Sequence, residues 1–218
     1  MKTALIFGFS GLVGNHLFDY ILKDNYYQKI KLFVRSNINI KDSKVEIIYD
    51  DFKNLDNLKN TIIGDDCFFC IGTTKKNTPD KNEYINIEYN LPVEVAKIAK
   101  SNSVNNFIYV SSIGANTNAS GLYLKNKGQA EEELKKLNFS KLSIMRPSIL
   151  LGNRKENRVG EKIGIFVMKT LSPLFLGKMK KYKPIKVENV AKTMLHVVRN
   201  DYQKTIFESD EIIEISNL

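Results

Sequence analysis

The sequence has 218 residues, a formal net charge of +9 and a hydrophobic fraction of 43%. This length allows one large domain or two very small ones, and we predict a single domain over residues 1–218. The hydrophobic fraction excludes intrinsic disorder, and the presence of only two cysteines excludes a disulfide scaffold. No apolar run reaches the roughly 18 residues of a membrane span, and no secretory segment follows Met1, so we expect a cytosolic (cytoplasmic) protein.

Short apolar runs alternate with amphipathic segments along the whole chain. The runs predict strands at Thr3–Gly8, Ile30–Val34, Val45–Tyr49, Cys67–Gly72, Phe107–Ser111 and Leu142–Arg146. The amphipathic segments predict helices at Leu12–Lys23, Leu55–Ile62, Asn82–Ser101, Leu122–Leu137, Gly160–Leu171 and Val187–Arg199, the third starting or kinking at Pro92. This alternation predicts an α/β fold of the Rossmann type, a doubly wound parallel sheet with a small C-terminal helical extension on the substrate side.

A glycine-rich loop joins the first predicted strand to the first predicted helix. Gly8, Gly11 and Gly14 form a G-x-x-G-x-x-G pattern. In such a loop, one glycine permits the tight turn, one lets the backbone approach a pyrophosphate, and one lets helix and strand pack closely. The amides at the helix N-terminus then attract the anionic phosphates. The context of strand, loop and helix predicts a dinucleotide-binding site.

Two positions bear on the choice of cofactor. Arg35 and Ser36 follow the second predicted strand, where an acidic residue would favour NAD and an arginine would accommodate the 2′-phosphate of NADP. The Arg35 guanidinium suits a phosphate, so we predict NADP(H) as the preferred cofactor, with NAD(H) possible. Asp51 and Phe52 follow the third predicted strand, where adenine would lie.

A serine, a tyrosine and a lysine form a candidate catalytic group. Ser112 ends the strand that carries Ser111, and Tyr123 and Lys127 stand four residues apart on one face of a predicted helix. A nearby ammonium lowers the pKa of a phenol, and a serine hydroxyl can hold a substrate carbonyl. Together the three residues predict an acid–base site for hydride transfer or epimerisation.

Several motifs together resemble those of the atypical or extended short-chain dehydrogenase/reductases. The motifs are Gly8–Gly14, Cys70–Thr74, Tyr109–Ser112, Tyr123–Lys127, Met145–Gly152 and Val187–Ala191. Matches run over nearly the whole chain. Within the superfamily, the sequence is most similar to the Tat-interacting-protein-like branch of small NADP-binding oxidoreductases.

The resemblance implies roles for individual residues. The cofactor phosphates would be lined by Gly8, Ser10, Gly11, Leu12 and Val13, with Gly14 in the same loop, and Arg35 would hold the 2′-phosphate. The ribose would run along Cys70, Ile71 and Gly72, and Thr73 would be a further cofactor-binding residue. Lys127 would hold the nicotinamide ribose, and Pro147 and Ser148 would border the nicotinamide. Ser112 aligns with the catalytic serine of the family better than Ser111 does.

The departures from the family pattern keep alternatives open. The interval between Ser112 and Tyr123 is short, and the chain is too short for the substrate domain of a sugar-nucleotide epimerase. An NADPH-dependent oxidoreductase for a small carbonyl substrate is therefore predicted. The alternative is a non-catalytic NADPH-sensing interaction protein, and an epimerase or dehydratase is a weaker one.

Other signals are given structural interpretations. Cys67 and Cys70 are predicted to be buried strand residues, no metal site is assigned to the two histidines, and Glu131–Glu133 is expected to be a solvated helix face. Eight of the basic residues fall within 158–186. We interpret this segment as a flap over the active site, or alternatively as a membrane-surface or partner-binding element. Nucleic-acid binding is not expected, because no recognition motif accompanies the charge.

Overall fold

The computed structural model of the protein describes residues 2–152 and 177–218. Its central sheet is parallel throughout. The strands of this sheet are β1 (Thr3–Phe7), β2 (Lys29–Val34), β3 (Val45–Tyr49), β4 (Asp66–Phe69), β5 (Asn106–Val110), β6 (Lys141–Arg146) and β9 (Ile206–Glu208). A second, two-stranded sheet joins β7 (Leu150–Leu151) to β8 (Ile185–Lys186).

Helices connect the strands and flank the sheet. The α-helices are α1 (Leu12–Lys23), α2 (Lys81–Ile85), α3 (Leu91–Ser101), α4 (Leu122–Lys136), α5 (Val187–Arg199) and α6 (Ser209–Ile215). Leu55–Leu58 and Gly177–Tyr182 form 3₁₀ turns, and Asn86–Asn90 forms a π-helical turn between α2 and α3. No helix among the described residues is long and apolar enough to cross a membrane.

The strand order places a crevice near the middle of the sheet. The order is β3-β2-β1-β4-β5-β6-β9, so the chain builds outward from β1 in one direction and then continues from β4 in the other. In doubly wound sheets, ligands bind at the carboxyl ends of the strands where the order reverses. Here that point lies between β1 and β4. The observed sheet confirms the predicted α/β fold of the Rossmann type.

The strands are buried on both faces, as their continuous apolar runs require. Successive residues alternate between two hydrophobic clusters, since Ala4 and Ile6 pack with one and Leu5 and Phe7 with the other. The first cluster contains the apolar faces of α1 and α5, and the second contains those of α3 and α4. The sheet therefore has a helical layer on each side, which fixes the positions of its carboxyl ends.

The sequence predicts most of these elements. All six expected strands are present with small differences at their ends, and α1 and α5 have the expected bounds. The helix expected at Leu55–Ile62 is only a 3₁₀ turn, and β7, β8, β9 and α6 were not expected. The helix expected at Gly160–Leu171 lies outside the described residues, as does the basic segment 158–186 up to residue 176.

Pro92 accounts for the irregularity between α2 and α3. Proline has no N–H, and its ring clashes with the carbonyl four residues earlier, which here belongs to Glu88. The chain widens into the π turn just before Pro92, and the N–H of Leu91 donates to the carbonyl of Asn86, five residues back. The expected helix therefore continues through residues 81–101, but with a register change that sets the direction of Glu88.

Candidate functional site

A cavity of about 730 Å³ opens at the carboxyl ends of β1, β4, β5 and β6. Its walls come from the loops after β1, β4 and β6, from the last residue of β5 and the two that follow it, and from α4 and the π turn. A volume of this size is typical of small-molecule and cofactor sites. The cavity lies at the reversal of strand order, where the topology predicts a ligand.

The glycine loop is packed too tightly for side chains at two of its glycines. Gly8 has φ +88°, and a Cβ there would lie 2.7 Å from the carbonyl carbon of Cys70. A Cβ on Gly14 would lie 2.1 Å from the carbonyl oxygen of Gly8. These two glycines bring β1, the start of α1 and the loop after β4 together. Both act through this packing, and neither is among the residues that line the cavity.

The start of α1 fits an anionic group. Gly11 is the N-cap, no side chain caps the helix, and the first turn has no acidic residue. The helix dipole and the uncapped amides therefore present positive potential to the cavity, which the side chains do not cancel. A loop with little side-chain bulk beside an uncapped helix N-terminus fits the pyrophosphate of a dinucleotide.

Most of the predicted cofactor residues line this cavity. They are Ser10, Gly11, Leu12, Val13, Cys70, Ile71, Gly72, Thr73, Lys127, Pro147 and Ser148. Ser112 and Tyr123, two of the three predicted catalytic residues, line it together with Lys127, the third. The structure therefore brings the predicted phosphate loop and the predicted catalytic group to one site.

Besides Gly8 and Gly14, four predicted cofactor residues lie outside the cavity walls. Arg35 and Ser36 are exposed just after β2, and no hydrogen bond or ion pair within residues 2–152 and 177–218 engages the Arg35 guanidinium. Asp51 is exposed, whereas Phe52 is buried with φ +61° and its ring packs 6.0 Å from that of Phe7. Arg35 is free to meet a phosphate, and the Phe52 side chain belongs to the core.

The two serines after β5 have different environments. Ser111 is buried, and its hydroxyl donates to Glu131 Oε1 at 2.5 Å. Ser112 is half-buried and lines the cavity, and its hydroxyl makes only a long 3.4 Å hydrogen bond to the carbonyl of Ile113. The Ser112 hydroxyl is thus available to a ligand, while that of Ser111 is held by the protein.

Tyr123 and Lys127 differ sharply in exposure although they share a face of α4. The Tyr123 side chain is 38% exposed, whereas Lys127 is almost completely buried. Lys127 Nζ lies 3.0 Å from Glu88 Oε2, donates to the carbonyl of Val110 at 3.1 Å, and lies 4.7 Å from the centroid of the Tyr109 ring. The ammonium is therefore fixed beneath the cavity.

The surroundings of Lys127 favour its charged form. Burial alone would lower its pKa, but the neighbouring Tyr109, Glu88 and Tyr123 outweigh burial and raise the pKa above its ordinary value. Burial also raises the pKa of Tyr109 to about 12, although the nearby ammonium opposes this effect. Lys127 consequently provides a permanent positive charge at neutral pH.

Glu88 and His16 are cavity residues that sequence reasoning missed. Glu88 is fully buried at the cavity wall, and His16 of α1 also lines the cavity. No motif identifies Glu88, because its position depends on the π turn before Pro92. Among the described residues, no group of three or more His, Cys, Asp or Glu residues could hold a metal ion.

Glu131 does not lie on the solvated helix face that the sequence predicts for Glu131–Glu133. It is buried instead of solvated, and its carboxylate accepts from Arg146 Nε at 3.0 Å and from Arg146 Nη2 at 2.5 Å. Its neighbours Glu132 and Glu133 do form the expected outer face, where they pair with lysines one turn later. Because α4 packs on the sheet, one residue of the acidic run faces inward.

Comparison with protein families gives the identity of the fold. A family described as NAD(P)H-binding matches residues 8–201, which include the glycine loop and every cavity residue. The chain belongs to this family. Its match begins at Gly8 and extends beyond α5, so the family covers the cavity and the helical layers around it. The chain therefore contains a domain that binds a nicotinamide dinucleotide.

Named relatives place the chain within this family. Protein HTATIP2 of Rattus norvegicus is 32% identical over 164 residues, covering 73% of this chain and 67% of the relative. Protein FMP52-1, mitochondrial, of Scheffersomyces stipitis is 29% identical over 229 residues, covering 98% of both chains. Protein FMP52, mitochondrial, of Debaryomyces hansenii is 31% identical, covering 89% of this chain and 87% of the relative. The resemblance to atypical short-chain dehydrogenase/reductases of the Tat-interacting-protein-like branch is thereby confirmed.

The same relatives correct the expected location. The sequence suggested the cytosol, but the FMP52 relatives are named as mitochondrial proteins. The expectation of a cytosolic protein is therefore wrong. It rested only on missing secretory and membrane segments, and such absences do not distinguish one internal compartment from another.

Solved structures support the fold. The chain superposes on Pen from Bacillus thuringiensis with a TM-score of 0.72 at 14% identity, covering 99% of this chain and 73% of that one. It superposes on Bordetella bronchiseptica WbmH in complex with NAD⁺ with a TM-score of 0.68 at 15% identity, covering 92% and 73%. At these identities the likeness shows the Rossmann-type fold alone.

Proposed function

We propose that the protein is an NADP(H)-dependent oxidoreductase that acts on a small carbonyl substrate. The observation that carries this proposal is the convergence of Ser112, Tyr123 and Lys127 on the cavity that the glycine loop also lines. Dinucleotide binding alone would not require a free hydroxyl, a phenol and a fixed ammonium in one place. A carbonyl reduction uses all three.

Each residue has a separate task in the proposed reaction. The reduced nicotinamide supplies a hydride when the cofactor is bound. The Ser112 hydroxyl, which has only a weak partner in the protein, donates a hydrogen bond to the substrate carbonyl oxygen. The Tyr123 phenol gives its proton to that oxygen, and the buried Lys127 ammonium stabilises the phenolate that remains.

Substitution of Tyr123 tests the catalytic part of the proposal. We expect Tyr123→Phe to reduce carbonyl turnover by about 10²- to 10⁴-fold while the NADPH Kd stays within about twofold of wild type. Tyr49→Phe is the matched control, because Tyr49 is exposed on the edge strand β3 and its change should leave turnover intact. Turnover retained by Tyr123→Phe would remove the phenol from the mechanism. NADPH binding by wild type without turnover on a carbonyl panel would favour the NADPH-sensing alternative.

Arg35 supports the preference for NADP(H). Its guanidinium follows β2, is exposed and has no partner in the described part of the chain, so the 2′-phosphate would not have to displace an existing ion pair. We expect nicotinamide fluorescence titrations to show tighter binding of NADPH than of NADH. Arg35→Ala should weaken NADPH binding by about tenfold and leave NADH unchanged. Lys136→Ala, at the far end of α4, is the charge-matched control, and equal wild-type affinities for the two cofactors would contradict the assignment.

A further inference from the structure

Glu88 joins two parts of the cavity wall. Its carboxylate is fully buried, with Oε1 accepting the backbone N–H of Thr73 at 2.5 Å and Oε2 lying 3.0 Å from Lys127 Nζ. Thr73 belongs to the loop after β4, and Lys127 belongs to α4. A buried carboxylate is costly unless it is paired and hydrogen-bonded, and Glu88 has one partner of each kind.

Local features of the chain shape this position for a carboxylate. The π turn before Pro92 directs Glu88 toward the cavity, since the register changes at residues 86–90. Gly72 lies directly over the carboxylate, and a Cβ on it would lie 3.5 Å from Glu88 Oε1. That distance is an ordinary van der Waals contact, so the position of the carboxylate depends on the π turn and not on the absence of a side chain at residue 72.

The hydrogen-bonding capacity of Lys127 shows what the contact does. An ammonium has three N–H donors in total. One donates to the carbonyl of Val110, and the Glu88 carboxylate lies in ion-pair contact. The hydrogen bond to Val110 and the ion pair with Glu88 therefore restrict where the ammonium can lie. Lys127 also lines the cavity, so Glu88 helps to set the position of a charge that faces a ligand there.

We propose that Glu88 is a positioning residue, which keeps the Lys127 ammonium charged and oriented and ties it to the loop at residues 72–73. This inference rests on the proposed binding of a nicotinamide dinucleotide in the cavity. Glu88 would act through Lys127 and the loop, so the cofactor would meet a charge and a loop whose relative position is set before binding. Preorganisation of this kind reduces the cost of ordering the site around the ligand.

The pH dependence of cofactor binding distinguishes this role from simple packing. The titratable groups around Lys127 are Glu88 on the π turn, Tyr109 on β5, Tyr123 on α4 and Cys70 after β4. Within residues 2–152 and 177–218, Glu88 is the only carboxylate of this set. Without it, no carboxylate of this set opposes the burial of the ammonium and only the Tyr109 and Tyr123 phenols remain, so the pKa of Lys127 falls. The anionic cofactor then loses a cation as the pH rises.

The experiment is an NADPH titration across pH with four forms of the full chain. They are wild type, Glu88→Gln, the charge-retaining Glu88→Asp, and the control Glu83→Gln on the exposed face of α2. For Glu88→Gln relative to wild type, we expect the Kd ratio to rise by about tenfold or more between roughly pH 6.5 and 9.5. The change of Kd with pH is the diagnostic quantity, because the Kd at a single pH combines two opposite effects. At low pH, Glu88→Gln has one negative charge fewer beside Lys127, which favours the anionic cofactor and can offset the loss of the contact with the loop. Glu88→Asp and Glu83→Gln should remain parallel to wild type.

The outcomes separate this inference from the proposed function. A Glu88→Gln profile parallel to wild type would overturn the role of Glu88 and leave the proposed function intact. Failure of wild type to bind NADPH or NADH would overturn both. If Glu88→Gln does not fold, the stability of Glu88→Gln/Lys127→Met decides the matter. Recovery of folding in the double variant supports the charge pairing, and failure to recover overturns it.

Discussion

Single atoms decide the geometry of the glycine loop. The Gly8 carbonyl accepts the N–H of Gly11 at 3.0 Å and also faces the Cα of Gly14, where a methyl group would lie 2.1 Å from the oxygen. The loop therefore closes on itself and seats α1 against β1. Gly11 is less restricted, since its Cβ would lie 3.3 Å from the same carbonyl. The three glycines of the motif are not equivalent in their steric demands.

Gly14→Ala should disrupt the loop more than its small size suggests. The backbone of Gly8 must move to admit the methyl group, and we expect a loss of about 1–3 kcal/mol in the free energy of unfolding together with at least a tenfold weaker NADPH Kd. Gly121→Ala is the matched control, because no atom lies within 4 Å of a Cβ at that position. Urea unfolding and NADPH titration of both variants provide the test. Equal effects of the two substitutions would contradict the steric argument.

Cys70 is a cavity residue whose thiol should be unreactive. It is half-buried just after β4, and burial raises its pKa to about 12 although the nearby Lys127 opposes this shift. The thiolate is the reactive form, so alkylation at neutral pH should be slow and should accelerate about tenfold per pH unit up to the pKa. Mass spectrometry after iodoacetamide treatment measures this rate, with Cys70→Ser identifying the site. Fast labelling at pH ~7 would contradict the shift.

At the scale of elements, one arginine holds several of them together. Arg146 at the end of β6 pairs with Glu131 of α4 and lies 3.2 Å from Glu208 at the end of β9. It also donates to the carbonyl of Ala115, in the loop between Ser112 and Tyr123. The same Glu131 accepts the Ser111 hydroxyl. This network therefore fixes the polypeptide on both sides of Ser112, and the sheet supports the proposed catalytic residues through it.

Glu131→Gln should be markedly destabilising although it changes few atoms. It removes the closer of the two carboxylates that pair with the partly buried Arg146 guanidinium and leaves only Glu208 at 3.2 Å, so we expect a loss of about 1.5–3 kcal/mol in the free energy of unfolding. Glu132→Gln is the neighbouring control, since its carboxylate is exposed and its pair with Lys135 should contribute less than about 1 kcal/mol. Urea midpoints at an unchanged m value measure both effects. Similar midpoints for the two variants would show that the network is not stabilising.

At the scale of the molecule, the sequence predicts the features that have a local pattern. It does not predict those that depend on contacts between distant parts of the chain. Strands buried on both faces and a glycine loop leave local patterns, so the sheet and most cavity residues are predictable. Glu88 and Glu131 leave none, because only the packing of α4 and the π turn shows that they face inward. Strand β9 has three residues, too few for a recognisable pattern, and its place is set by pairing with β6.

The pairing of β9 bears on how the chain unfolds. The strand forms one edge of the sheet that also contains β1, so residues near both ends of the sequence belong to one sheet. We propose that residues 1–218 form a single domain. Far-UV circular dichroism and tyrosine fluorescence should then report one coincident urea transition. Excess NADPH should shift that whole transition to higher urea, since a ligand that binds only the folded state stabilises every element folding with its site. Two separate transitions, or a shift in only one probe, would indicate two independent units.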